Sequence, residues 1–253
     1  MLNYDIEEIN NLSDKEYIDN VVLSEANKSY DLNNKITEIF NSNSWINKPC
    51  FILAGGTSIS NLDFSLLKDY LTIGINMSFI KYNTTINYSM DPDLYSNIYE
   101  GKYTEKQNCN VLERWNQYTG IRVLLSPMEL RRFSGNNIYL IRRKLTPSVD
   151  FSDLDKGIYG GISSATGAIN LALALGSRQI YLLGYDMQCT NKTHWHNGYP
   201  EQDITEFQDK LKRYCKEIEN LSSEWESIGA KIVNLNRFSS LKCFKFDNLK
   251  NIF

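Results

Sequence analysis

Cys50-Phe51-Ile52-Leu53-Ala54 runs without a polar break into Gly55-Gly56-Thr57-Ser58. An apolar run of that length has no face to give to water, so it reads as a strand covered on both sides. Such strands belong to parallel sheets, in which each crossover needs a helix or a long connection. The rest of the chain repeats the theme. Leu71–Asn76, Thr85–Met90, Arg122–Leu125, Ile138–Ile141, Gln179–Gly184 and Lys231–Leu235 read as further strands. Helices are expected around Leu62–Tyr70, over Ser163–Leu175 and over 202–228. The last carries Ile204, Phe207, Leu211, Tyr214, Ile218, Leu221 and Trp225 on one stripe, wide enough to pack on a sheet. Residues 142–160 read as an irregular connection. Alternating strands and helices predict an α/β fold with a mainly parallel sheet flanked by helices.

Residues 1–48 are polar, with mixed helical spacings over 14–41, and Pro49 closes them off. They predict an N-terminal helical extension outside the sheet, followed by one domain over 49–253.

Composition limits the classes of function. The chain has 253 residues, 42% apolar and 23% charged, enough to bury a full core without staples. Its 27 Lys and Arg against 30 Asp and Glu leave a net charge of −3, so no basic field points to nucleic acid. No apolar stretch approaches the roughly 20 residues a membrane span needs. The acidic start, Met1 to Glu8, is not expected to be a signal peptide. Five cysteines at 50, 109, 189, 215 and 243 form no CxxC and no even framework. Reduced thiols in a cytoplasmic protein are the expectation. No residue demonstrates an oligomer, and a homo-oligomer stays open.

In an open α/β sheet, ligands bind beyond the carboxyl ends of the strands. Four such ends carry chemistry. Gly55 and Gly56 let the backbone approach a phosphate, with Thr57 and Ser58 as hydroxyl donors; a tight turn with a helix cap is the alternative. Asn76 follows the second strand. Asp91-Pro92-Asp93 follows the third: two carboxylates able to hold Mg²⁺ or Mn²⁺ against a nucleotide, or the acidic start of a helix. Gly184-Tyr185-Asp186 ends a fourth strand. Ser163 and Ser164 open a helix of small residues, either an anion-ready terminus or a capped packing helix. Thr193-His194-Trp195-His196 holds both histidines of the chain. Two imidazoles at i and i+2 point the same way in extended backbone and suggest a general base or a metal half-site. Basic residues at 131–132 and 142–144 read as a solvated face, and Tyr185, Trp195 and Tyr199 as stacking or core aromatics.

The order of these segments resembles two related groups: the lipooligosaccharide sialyltransferases of glycosyltransferase family 42, and the DUF115 family, which includes 6-hydroxymethylpterin pyrophosphokinase-like proteins. The similarity covers roughly residues 49–236, and the Thr193–His196 continuation is most similar to phage-encoded members. The resemblance implies a Rossmann-like nucleotide-binding domain of a bacterial or phage-encoded cytoplasmic protein. It implies a transferase that moves a sugar from a nucleotide-activated, CMP-linked donor to a hydroxyl acceptor, a small molecule or a glycan. Gly55, Gly56, Thr57, Ser58, Asn76, Asp91, Ser163, Ser164, Gly184 and Asp186 then hold the nucleotide. His196 or His194 takes the acceptor proton. Two positions depart from the sialyltransferases. Met187 and Gln188 stand where they carry a leaving-group tyrosine, and Asp91 replaces an asparagine. The carboxylate points to a metal, with Asp91 and Asp93 as ligands, and to the alternative of Mg²⁺-dependent pyrophosphoryl transfer. A non-catalytic nucleotide-binding protein is the third reading.

Overall fold

A computed structural model describes residues 14–103, 110–133, 137–199 and 202–252. One sheet of eight strands organises it. In chain order these are β1 (Cys50–Leu53), β2 (Leu71–Ile75), β3 (Ile86–Ser89), β4 (Ile121–Leu125), β5 (Ile138–Ile141), then β8 (Gln179–Leu183), β9 (Lys231–Asn234) and β10 (Lys245–Phe246). The spatial order is β10-β9-β8-β1-β2-β3-β4-β5, and every pairing is parallel. The chain builds outward from β1 to β5, returns, and lays β8 on the other flank of β1. The reversal between β1 and β8 is a topological switch point, where their carboxyl ends splay apart and leave a crevice. The fold is the Rossmann-like α/β arrangement expected.

Pleating divides the strand residues between two layers. Cys50, Ile52, Ile180 and Leu182 pack with α4 (Ser164–Ala174) and α5 (Ile204–Ser227). Phe51, Leu53, Tyr181 and Leu183 face the opposite way, onto Ile59, Leu67 and Trp195. On that second face, further along the sheet, α2 (Pro92–Tyr99) and α3 (Val111–Gln117) bury Leu94, Tyr95, Ile98 and Trp115 against Leu124 and Leu140. Helix α4 is apolar nearly all round and lies inside, between the sheet and α5. Trp225 of α5 donates from Nε1 to Asn170 Oδ1 of α4 at 2.9 Å.

Several local expectations change. Between β1 and β2 there is no α-helix over 62–70, only 3₁₀ turns at Thr57–Ile59 and Phe64–Leu67. Asp63 caps the second, its Oδ1 accepting from Ser65 N–H at 3.0 Å. The 142–160 segment contains a small parallel pair, β6 (Arg143–Lys144) and β7 (Ile158–Tyr159). Asp91-Pro92-Asp93 opens α2, with Asp91 Oδ1 accepting from Asp93 N–H at 3.0 Å and Leu94 N–H at 3.3 Å and Pro92 at the first helical position. The four described cysteines are free thiols, and Cys109 lies outside the described residues.

Before β1, α1 (Asp14–Asp31) and the segment after it are tied to the sheet's β5 edge and underside. Tyr30 is buried and donates to Asp155 Oδ1 at 2.8 Å. Leu140 N–H donates to Asn34 O at 2.7 Å, and Trp45 N–H to Leu175 O at 2.7 Å. Arg131, Arg142 and Arg143 serve the same framework and do not form the solvated face expected. Arg143 is buried with Nε donating to Ser126 O, Arg142 reaches Asn27, and Arg131 pairs with Asp93 and Glu129.

Gly167 shows how tightly α4 meets the sheet. A Cβ there would stand 2.2 Å from the Tyr88 hydroxyl, which is buried without a hydrogen-bond partner among the described residues. Gly167→Ala is expected to destabilise the chain by about 1–3 kcal/mol through overpacking. Tyr88→Phe removes the nearest atom at little cost but leaves ring carbons at 2.8 and 2.9 Å, so in the double variant part of the loss should return. Urea denaturation of the four species tests this; a double variant no more stable than Gly167→Ala would contradict it.

Candidate active site

The switch point holds a cleft of about 500 Å³. Its floor is built from strand ends held by one carboxylate. Asp186, 5% exposed, accepts from Ser58 N–H at 2.9 Å, from Ser58 Oγ–H at 2.5 Å and from Asn236 Nδ2 at 2.8 Å. It therefore links the loops after β1, β8 and β9. Gly184 turns the chain at φ +70°, and its carbonyl accepts from Gly56 N–H at 2.9 Å. Gly56 has to be glycine: a Cβ would lie 2.4 Å from both Asp186 Cγ and Gly184 O. Ser58 thus gives both its donors to Asp186, and neither Thr57 nor Ser58 lines the cleft. Gly55, Gly56, Gly184 and Asp186 do line it.

The histidine loop lies across the glycine turn. Trp195 fixes it: its backbone N–H donates to Gly55 O at 3.1 Å and its Nε1 to Ala54 O at 2.9 Å, while its ring packs on Phe64. The two imidazoles stack with centroids 5.3 Å apart. They do not share one environment. His194 lines the cleft beside Gly55, with Tyr199 and Phe207 at 4.7 and 4.9 Å. His196 is buried behind it, outside the lining, and its Nδ1 accepts from Gly198 N–H at 3.2 Å. Burial lowers the His194 pKa to about 4. Burial, with help from His194 and Lys81, lowers that of His196 to about 3. Both rings are neutral at pH 7.

The opposite wall is the start of α4. Ser163 caps it, accepting from Thr166 N–H at 3.3 Å, and Ser164 Oγ–H donates to Asn76 Oδ1 at 3.3 Å. Asn76 itself sits in the left-handed region at φ +53°, held by Asn87 Nδ2 on its carbonyl. Asn76, Ser163 and Ser164 all line the cleft. So does Asp91, whereas Asp93 points away and pairs with Arg131 at 2.7 Å. The two carboxylates do not converge, so a paired metal seat does not fit them. Among the described residues no group of three His, Cys, Asp or Glu converges elsewhere.

The third wall was not legible as a site. Phe207, Lys210, Leu211 and Tyr214 of α5 line the cleft. Sequence periodicity assigned Phe207, Leu211 and Tyr214 to packing, because a stripe facing a ligand and a stripe facing a core have the same period. Glu217, one turn further, accepts from Ile162 N–H at 2.9 Å and from Thr166 Oγ1–H at 2.6 Å, at the N-terminus of α4. A signal existed: a stripe running the length of a long helix exceeds what short strands can cover.

A crevice beyond the carboxyl ends of a parallel sheet, floored by a glycine turn and faced by a neutral imidazole, is where a Rossmann-like fold takes its ligand. The family model for 6-hydroxymethylpterin diphosphokinase MptE-like proteins matches residues 22–192, and the chain belongs to that family. No curated protein matches it. Among solved structures, it is similar to MAf glycosyltransferase from Magnetospirillum magneticum AMB-1, at 13% identity and a TM-score of 0.56. That likeness, one of fold, covers 91% of this chain and 38% of the other. No described helix is long and apolar enough to cross a membrane.

The histidine pair makes stability depend on pH. Above about pH 6.5 both states hold neutral rings and the pair contributes no slope. As pH falls below that value, the unfolded chain takes protons that the folded chain refuses until pH approaches 4 and then 3, so stability falls. Between pH 7 and 5 the loss should be on the order of 1–2 kcal/mol per histidine. Denaturant titrations at the two pH values are expected to show a flatter dependence for His194→Gln with His196→Asn than for wild type. Parallel dependences would mean that the rings titrate normally.

Proposed function

We propose that this chain transfers a sugar from a nucleotide-activated donor, CMP-linked, to a hydroxyl acceptor, with His194 as general base. The observation that carries the reading is the position of His194: a neutral imidazole on the cleft wall, beside the glycine turn at the switch point. Its acid–base role follows from reach and charge state. His194 takes the acceptor proton as the acceptor oxygen bonds to the anomeric carbon. The bond from that carbon to the phosphate oxygen breaks, and the nucleotide leaves with its electron pair. One displacement inverts the sugar centre and needs no covalent intermediate. Tyr199, Phe207 and Tyr214 offer aromatic faces for a base or a sugar. His196 supports the active ring by stacking behind it.

One observation favours a second reading. The matching family is described by a diphosphokinase, and Asp91 presents a carboxylate to the cleft. In that case the nucleotide would be ATP, and Asp91 would hold a Mg²⁺ that offsets phosphate charge; a primary hydroxyl would bond to the β-phosphorus and give its proton to His194, while the bond from that phosphorus to the α-phosphate's bridging oxygen breaks and AMP leaves.

Thermal shift separates the two, because a ligand of the native state raises the melting temperature by mass action. Stabilisation by CMP in EDTA supports sugar transfer. Stabilisation by ATP only with Mg²⁺ supports the second reading. For either chemistry, His194→Gln should lower turnover by about 10²–10⁴-fold while nucleotide binding stays within a few-fold. Unchanged turnover would remove His194 as the base.

A further inference from the structure

The N-terminus of a helix at the end of a strand is the usual seat for a phosphate in this class of fold, because its free amides and dipole favour an anion. In this chain a protein carboxylate already sits just ahead of that terminus, on the amide of Ile162, two residues before α4. Both oxygens of Glu217 accept from Ile162 N–H, at 2.9 and 3.1 Å, and one also accepts from the Thr166 hydroxyl. A Cβ at Gly161 would stand 2.6 Å from the same carboxylate, so the glycine makes room for it. The helix terminus carries about half a positive charge. A carboxylate beside it offsets part of the attraction that a second anion would find there.

A full positive charge in the cleft has to come from a side chain. Lys210 is the one Lys or Arg among its described lining residues, and it forms no ion pair or hydrogen bond among the described residues. Helix register fixes its place. Phe207 rests on the His194 ring at 4.9 Å, and Glu217 is anchored on the α4 start. These two residues stand about 15 Å apart along the axis at 1.5 Å per residue, with Lys210 about 4.5 Å from Phe207. Lys210 thus lies on the stripe between His194 and the residues at the α4 start. Both Asp186 oxygens are hydrogen-bonded to Ser58 and Asn236, so this floor carboxylate does not need the lysine.

We infer that Lys210 is the phosphate-recognition side chain of the cleft, binding the anionic group that leaves with the nucleotide, opposite the start of α4. This rests on the nucleotide reading above. An ammonium ion beside the phosphate stabilises the charge that grows on it as the bond breaks. It also supplies leaving-group stabilisation at a site where Met187 and Gln188 follow the strand.

The test is calorimetric titration of the full chain with two pairs of probes, CMP with cytidine and AMP with adenosine. Wild type is expected to bind one nucleotide more tightly than its nucleoside. Lys210→Gln should weaken that nucleotide by about tenfold and leave the nucleoside unchanged, and Lys210→Arg should restore most of the difference. A Lys210→Gln variant that binds the nucleotide within twofold of wild type, or weakens both probes alike, overturns the inference and leaves the nucleotide reading standing. Wild type binding a nucleoside as tightly as its nucleotide overturns it too. Wild type binding none of the four probes ends both.

Discussion

The Asp186 carboxylate is the contact on which the cleft depends. A buried carboxylate is costly unless its oxygens are hydrogen-bonded, and here three donors from two other loops meet that need. The requirement runs outward from there. Ser58 has to turn its amide and hydroxyl back toward the strand end, so the segment after β1 forms a short 3₁₀ turn and not a phosphate-binding helix. Gly56 has to lack a side chain, because its neighbour is the carboxylate itself. Asn236 is drawn in, which brings the loop after β9 to the same edge. Residues that look like ligand-binding groups in sequence are the mortar of the floor.

With the floor fixed, the histidine loop has a surface to dock on. Trp195 supplies the anchor by satisfying two carbonyls of the glycine turn, which would otherwise lie beside an indole without a donor. An anchored tryptophan places one neighbour on the cleft and buries the other. The same packing that shields the rings from water keeps them neutral. Position and protonation state of the candidate base therefore share one cause.

The sheet was legible because strands buried on both faces leave apolar runs, continuous in β1, β5 and most of β8, and because short β-branched and apolar segments bounded by polar residues recur at β2, β3, β4 and β9. So was the glycine turn at the carboxyl end of β1. What escaped the sequence was the direction of side chains. Asp91 and Asp93 are alike in sequence, but capping α2 turns one toward the cleft and its exposed neighbour toward Arg131. His194 and His196 are alike by alternation, but the docking of Trp195 bends the loop so that only one reaches the cleft. Helix α3 and β10 were missed because each is short and its apolar positions are few, so that burial follows from neighbours and not from a periodic pattern.

Helix α5 joins the two halves of the problem. Its second half is core: Ile218, Leu221 and Trp225 are buried, and Trp225 is bonded to α4. Its first half is cleft wall, and Glu217 stands near the boundary with its carboxylate on the start of α4. A helix is stiff over this length, so the packing of Trp225 and Leu221 sets the height at which Phe207 and Lys210 meet a ligand. Rotation of α5 by one residue, about 100°, would take Lys210 off the cleft and Glu217 off α4 together. Core packing thus selects which charge the cleft presents, and the recognition stripe is held in register by side chains that never touch the ligand.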